Sequence, residues 1–264
     1  MRLVATALLI QLLPAMAAAG AWTQPAGRSQ LIISATTYHS DKRREDSSIT
    51  TRQPTYRKTA INPYYEYGLT DHITLGANLF LIHASQQGSS QTGLGDSEFF
   101  LRHHLLSYKS WVWSIEPMIK LPSPHSTSDT PSLGGNSADL GLTTRAGYSF
   151  RALSRSHYLD LASGYHYRFG SPLDQIKLSA ALGIGLSPSW SLLSQLDTVW
   201  RVSEPQITRF TQSPADDYSL IKTQFSALYH HSENTRWQVG LFSHLDGRNT
   251  GLGTGFIVSA WRNF

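Results

Sequence analysis

Cysteine is absent from all 264 residues, which excludes a disulfide framework and lipid attachment through an N-terminal cysteine. Missing too, after the first 19 residues, is any apolar run approaching the ~18 residues of a membrane helix. Hydrophobic residues make up 40% of the chain and mean hydropathy is -0.25, values that on their own suit a soluble protein. Charge of one sign is scarce as well: 22 lysines and arginines against 18 aspartates and glutamates leave +4, too little to argue for a nucleic-acid partner. No Gly-x-Ser-x-Gly elbow, phosphate-cradling loop or His-Glu-x-x-His zinc pattern occurs. His103 and His104 are adjacent and would point to opposite faces of a strand, so no metal site and no cofactor is expected.

What the chain has instead is alternation. From Asp139 to Phe150, residues Leu140, Leu142, Thr144, Ala146, Tyr148 and Phe150 share one face, and Asp139, Gly141, Thr143, Arg145, Gly147 and Ser149 share the other. One face suits lipid and the other water. Alternating runs lie near 28–38, 55–69, 72–83, 96–108, 111–122, 139–150, 157–169, 174–186, 189–202, 217–230, 236–245 and 252–264. Their length matches the roughly 9 to 11 tilted residues that cross a bilayer and exceeds the usual five or six of a soluble sandwich strand. In hydrocarbon only a closed sheet satisfies every backbone donor and acceptor. Hydropathy stays low because every second residue faces the interior. The expected fold is all-β: a closed antiparallel transmembrane β-barrel of about twelve strands.

The ends agree with this. Arg2, an apolar run from Leu3 to Leu13 and a small-residue stretch read as a secretory signal peptide over 1–19, cleaved after Ala19, with residues 20–264 forming one barrel domain. Connections near Thr70-Asp71, Lys109-Ser110, 151–156, Ser187-Pro188 and 232–235 are short; residues 39–54, 84–95, 123–138 and 203–216 read as longer loops. Two connections on the long side, near Ser171-Pro172 and 246–250, are also short. This asymmetry places both chain ends in the periplasm of a Gram-negative bacterium and the barrel in its outer membrane. The charged stretch from Asp41 to Asp46 reads as a solvated loop tip. Trp111, Trp113, Tyr158, Trp190, Trp200, Tyr229, Trp237 and Trp261 fall toward strand ends, as interfacial aromatics do. Phe264 ends an alternating strand, like the terminal aromatic read by the barrel-assembly machinery.

With the apolar faces turned to lipid, the other faces line a lumen. They carry Glu66, Asp96, Glu98, Glu116, Asp139, Asp160 and Asp197, with Lys58, Arg102, Lys120, Arg145, Arg168, Lys177, Arg201, Lys222 and Arg236. His104, His166, Gln195, Gln224, Gln238 and His244 join them. A twelve-stranded barrel is wider than the eight-stranded kind that side chains fill. Glu98 with Arg102 and Glu116 with Lys120 form candidate structural ion pairs; alternatively these four meet near mid-lumen and set a constriction that selects solutes. Ala181, Gly183, Gly185, Gly253 and Gly255 leave room for passage, for a bulky neighbour or for curvature.

The function read from these residues is passive passage of small solutes, not catalysis. A closed barrel whose external loops bind a partner is the alternative. A phospholipase-like hydrolase comes third, since it needs a serine and a histidine in reach, oriented by a third polar group.

Three local patterns carry a family resemblance. Gly93-Leu94-Gly95-Asp96 opens the fourth strand, followed by Glu98 and Arg102; Lys120-Leu121-Pro122 closes the fifth; Ser137-Ala138-Asp139-Leu140-Gly141-Leu142 opens the sixth. In this order, with Gly20-Ala21-Trp22-Thr23-Gln24-Pro25 at the start of the expected mature chain, the sequence resembles the outer-membrane family named as a transporter of the meta-cleavage phenol-degradation pathway. Ser123 and Pro124 stand where those relatives commonly have threonine and glycine. The resemblance implies an outer-membrane barrel that passes small, hydrophobic or aromatic molecules, and brings no catalytic residues.

Overall fold

The computed structural model describes residues 20–46, 49–124, 130–135, 137–170, 173–202 and 218–264. Fourteen strands make one sheet. They are β1 Ser29–Asp46, β2 Ile49–Thr70, β3 Ile73–Asn78, β4 Leu81–Gln86, β5 Ser89–Leu94, β6 Ser97–Tyr108, β7 Trp111–Leu121, β8 Asp139–Ala152, β9 Arg155–Arg168, β10 Gln175–Gly185, β11 Trp190–Arg201, β12 Ser219–His230, β13 Thr235–Arg248 and β14 Thr250–Asn263. Each runs antiparallel to its neighbours, and β1 pairs with both β2 and β14, which closes the sheet. Strands β3 and β4 pair with successive stretches of β2, while β6 pairs with β3 and β5 with β4. Two walls of a twelve-stranded barrel are thus each interrupted once, at Leu79-Phe80 and at Gly95-Asp96. The expected twelve strands and their order are borne out.

Period-two alternation decides which way each side chain points. Leu140 and Leu142 are half exposed on the outside while Asp139 is buried within; Val239 and Leu241 face out while Gln238 is buried. So much exposed apolar side chain is untenable in water and suits a lipid belt. Closure is secured at the chain's end: Phe264 N–H donates to the Ser29 carbonyl at 2.9 Å, and Gln30 Nε2 donates to Asn263 Oδ1 at 2.9 Å. Phe264 itself points outward, 56% exposed.

Several loop expectations give way to strand. Residues 39–46 and 49–54 continue β1 and β2 as paired strand, with β1 still on β14 as far as Arg44. The Asp41–Asp46 stretch is therefore ladder, not loop tip; Arg44 Nε donates to Asp246 Oδ1 at 2.9 Å across it. Residues 84–95 largely form the β4–β5 hairpin, turned by Gln87 and Gly88 at φ 53° and 82°, the positive pair that a two-residue hairpin requires. Ser and Thr read as loop composition but also pair well in exposed ladders. Residues 203–216, Ser171-Pro172, part of 123–138 and the proposed leader lie outside the described residues.

Two of the supposed interfacial aromatics face inward. Tyr158 shares a face with Asp160, and Trp261 with Ser259, and all four are buried; strand parity overrides closeness to a strand end. With Ile32, Leu193 and Leu228 they form an apolar patch on the inner wall.

Candidate functional site

The interior of the barrel holds a piece of its own chain. Residues 20–28 precede β1 and turn from the periplasmic end into the lumen, where Ala21 is fully buried. Ala21 N–H donates to Asp160 Oδ2 at 2.6 Å, the Trp22 carbonyl accepts from Arg102 Nη1 at 3.1 Å, and Gln24 Nε2 donates to Glu66 Oε2 at 2.7 Å. Gln24 N–H donates to Thr74 Oγ1 at 2.7 Å. The Trp22 ring stands edge-on to Tyr158 at 6.1 Å, against the inner apolar patch. Gly147 makes this seat possible: a Cβ there would lie 2.6 Å from the indole. Gly183 does the same for Tyr158 and Gly255 for Phe242, so these small lumen residues house bulky neighbours.

The side chains that grip the segment form one ionic chain. Arg102 lies 2.7 Å from Glu66 and 2.8 Å from Glu116; Arg145 lies 2.8 Å from Glu116 and 3.8 Å from Asp160. Arg102 and Glu66 are both fully buried, where unpaired charges would cost several kcal/mol each. Tyr64 OH donates to Glu66 Oε1 at 2.5 Å and accepts from Arg102 at 3.4 Å.

A second ionic group lies toward the extracellular side. Lys120 Nζ is 3.2 Å from Asp96 and 2.9 Å from Asp139, and Arg168 is 3.6 Å from Asp139. Asp96, at the break between β5 and β6, also accepts from the Ser123 and Gly135 backbone at 2.9 and 3.0 Å. It thereby ties residues 130–135 into the mouth, where Leu133 packs on Ala60, Ile82 and Ala84. Beneath lies a cavity of about 360 Å³ lined by both charged and apolar side chains.

The pairs expected along single strands, Glu98 with Arg102 and Glu116 with Lys120, do not form. Residues four apart on a strand are separated by about 13 Å, whereas cross-strand neighbours approach to about 5 Å. Arg102 and Glu116 join the inner group, Lys120 the outer one, and Glu98 instead lies 3.9 Å from Lys177 and accepts from Asn78 at 3.1 Å. The four therefore do not meet at one level. Asp197 lies 3.9 Å from Lys222, away from both groups, and Arg201 ends β11 beside Ser219. The inward-folded segment was not anticipated, nor were Trp22, Gln24, Tyr64 and Thr74. A tryptophan in the nine residues between the expected cleavage point and the first strand was the available signal.

No cluster of histidine and carboxylate groups able to hold a metal occurs among the described residues. Ser191 Oγ and His230 Nε2 are 2.9 Å apart, yet no carboxylate hydrogen-bonds that imidazole among the described residues, so the third member of a hydrolytic triad is missing.

Neither protein-family models nor curated protein sequences match this chain. Solved structures do. An outer membrane channel from Pseudomonas putida F1 is similar at TM-score 0.74 and 17% identity over 94% of this chain and 99% of that one. The NanC porin is similar at TM-score 0.58 and 7% identity, over 87% and 98%. At such identities the likeness establishes the fold, the closed barrel of bacterial outer-membrane proteins. With its lipid-facing apolar belt, this chain belongs in that membrane.

Proposed function

We propose that this barrel is a passive channel for small solutes, and that residues 20–27 form the narrowest part of the route. The observation that carries this reading is the manner in which the lumen is filled. Among the described residues the wall encloses one N-terminal segment, held by six side-chain hydrogen bonds, a backbone bond from Gly27 to the Gly68 carbonyl and one indole contact. Such bonds contribute about 0.5–1.5 kcal/mol each, more where a partner is charged, and none of them belongs to the strand ladders, so the segment can leave without undoing the wall. The charged lining keeps the route wet, as in other pores.

Aromatic solutes fall within the range of passengers. The outer half of the inner wall carries Tyr38, stacked on Phe242 at 6.1 Å, tilted on His244 at 4.5 Å and edge-on to Tyr56 at 6.3 Å, which offers ring faces to a passing ring.

Single-channel recording of the folded barrel in planar bilayers tests the reading. Discrete conductance steps are expected, with more frequent or larger openings when residues 20–27 are deleted. Silence from both forms, each shown to be folded by heat-modifiable gel mobility, would overturn it. The β1–β2 extension and the β4–β5 hairpin would then become the surface of interest for a partner.

A further inference from the structure

We propose that the cavity of about 360 Å³ outside the N-terminal segment is a binding site for a small amphipathic monocarboxylate. Its carboxylate is received by Gln175 and Lys177 with help from Lys58, and its apolar body packs on Phe80, Ile82 and Leu133. The inference deepens the channel reading and rests on it only for the sense of a solute in transit.

The polar side of the cavity has donors to spare and acceptors already engaged. Gln175 is 2% exposed, lines the cavity, and its Nε2 has no hydrogen-bond partner among the described residues. A buried orphan donor costs about 1–3 kcal/mol, so the Gln175 amide favours an occupant. Lys177 follows Gln175 on the same face of β10, and its nearest carboxylate, Glu98, is 3.9 Å away, beyond hydrogen-bond range. Lys58 lines the cavity with no carboxylate within 4.0 Å among the described residues. Asp96 and Asp139, by contrast, are committed to Lys120, the Gly135 and Ser123 amides and Ser137.

Charge sets the valence. Lys58, Lys120, Arg168 and Lys177 give +4 and Asp96, Glu98 and Asp139 give −3 among the lining residues, a surplus of +1 that suits a monoanion. The opposite side is apolar: Ile82 and Leu133 are buried in one cluster, against which Phe80 packs. With a water's share of volume about 30 Å³, the space holds roughly a dozen non-hydrogen atoms, the size of an aromatic or medium-chain acid.

Calorimetric titration of the folded, detergent-solubilised barrel with benzoate, hexanoate, benzyl alcohol and acetate tests this. Benzoate and hexanoate are expected to bind, and benzyl alcohol and acetate at least about tenfold more weakly, as befits loss of the charge-assisted contact or of the apolar body. Gln175→Leu and Lys177→Met should each weaken benzoate by about tenfold and leave benzyl alcohol unchanged. Lys177→Gln serves if the methionine variant does not fold. Equal affinity for benzoate and benzyl alcohol, indifference to both substitutions, or no heat at all from folded wild-type barrel would overturn the site. A barrel that conducts but ignores benzoate rejects this inference alone; one that binds benzoate but never conducts rejects the channel reading alone.

Discussion

Two ionic groups of nearly the same composition occupy one lumen and behave as different devices. The inner group, Glu66, Arg102, Glu116, Arg145 and Asp160, has its central pair fully buried and spends its remaining donors and acceptors on the backbone and amide of residues 21–24. The outer group, Asp96, Lys120, Asp139 and Arg168, borders open space, and the nearby Lys177–Glu98 pair is about one-third exposed on each side at 3.9 Å. Residue type does not separate a lock from a lining. What separates them is what each one grips: the inner group holds residues 21–24, whereas the outer one holds residues 130–135 and borders the cavity.

The largest expected effect breaks the inner group at its centre. Arg102→Met leaves Glu66 and Glu116 without their shared cation and should cost about 3–5 kcal/mol in urea unfolding from lipid vesicles, while freeing the Trp22 carbonyl. Lys120→Met in the outer group should cost less, because the buried Asp139 keeps Arg168 at 3.6 Å and water reaches the other partner, Asp96, whose side chain is 22% exposed. Equal losses from the two substitutions would dissolve the distinction.

Next comes the segment itself. Trp22→Ala removes an indole seated against Tyr158 and Gly147, a truncation that costs about 3 kcal/mol in packed sites and so favours the withdrawn state by roughly a hundredfold. The measurement is open probability in bilayers, and it should rise while the unfolding midpoint of the barrel stays near wild type. A smaller change in the same sense is expected from Gly147→Ala, where the indole must shift to admit a methyl, at about 1–3 kcal/mol. Unaltered gating in both variants would mean that residues 20–27 do not limit the route.

Most of the wall was legible in the sequence because one rule governs it. Period-two alternation set the face of Glu66, Arg145 and Asp160 and the order of the barrel strands within the membrane, since a one-residue slip would turn charge toward lipid. The same rule, applied strictly, would have turned Tyr158 and Trp261 inward. Partnership was not legible. Which cation Glu116 meets depends on cross-strand register, and register follows from turn geometry and bulges that alternation does not encode; Ser40/Lys42 and His104/Leu106 each interrupt a ladder. The segment at 20–28 was invisible for another reason: it has no period, and only the finished wall gives Trp22 and Gln24 a place to bind. Beyond the membrane the signal failed differently, as Ser- and Thr-rich stretches such as 84–95 can be loop or exposed ladder alike.

The smallest effect sharpens the comparison by adding a charge pair from a third environment. Arg44 and Asp246 meet at 2.9 Å on the rim, with side chains 22% and 46% exposed, and Arg44 also donates to Thr50. Water and salt screen such a pair, so Arg44→Ala should cost about 0–1 kcal/mol, a loss that shrinks further in molar salt as the Debye length falls to about 3 Å. Conductance and ion selectivity should not move, because the pair bridges the β1–β2 extension to β13 and touches neither lumen group. A loss above about 2 kcal/mol would exceed what an exposed pair supplies. It would mean that the extension is braced against the barrel as firmly as the N-terminal segment is held within it, and that the outer rim takes part in fixing the shape of the mouth.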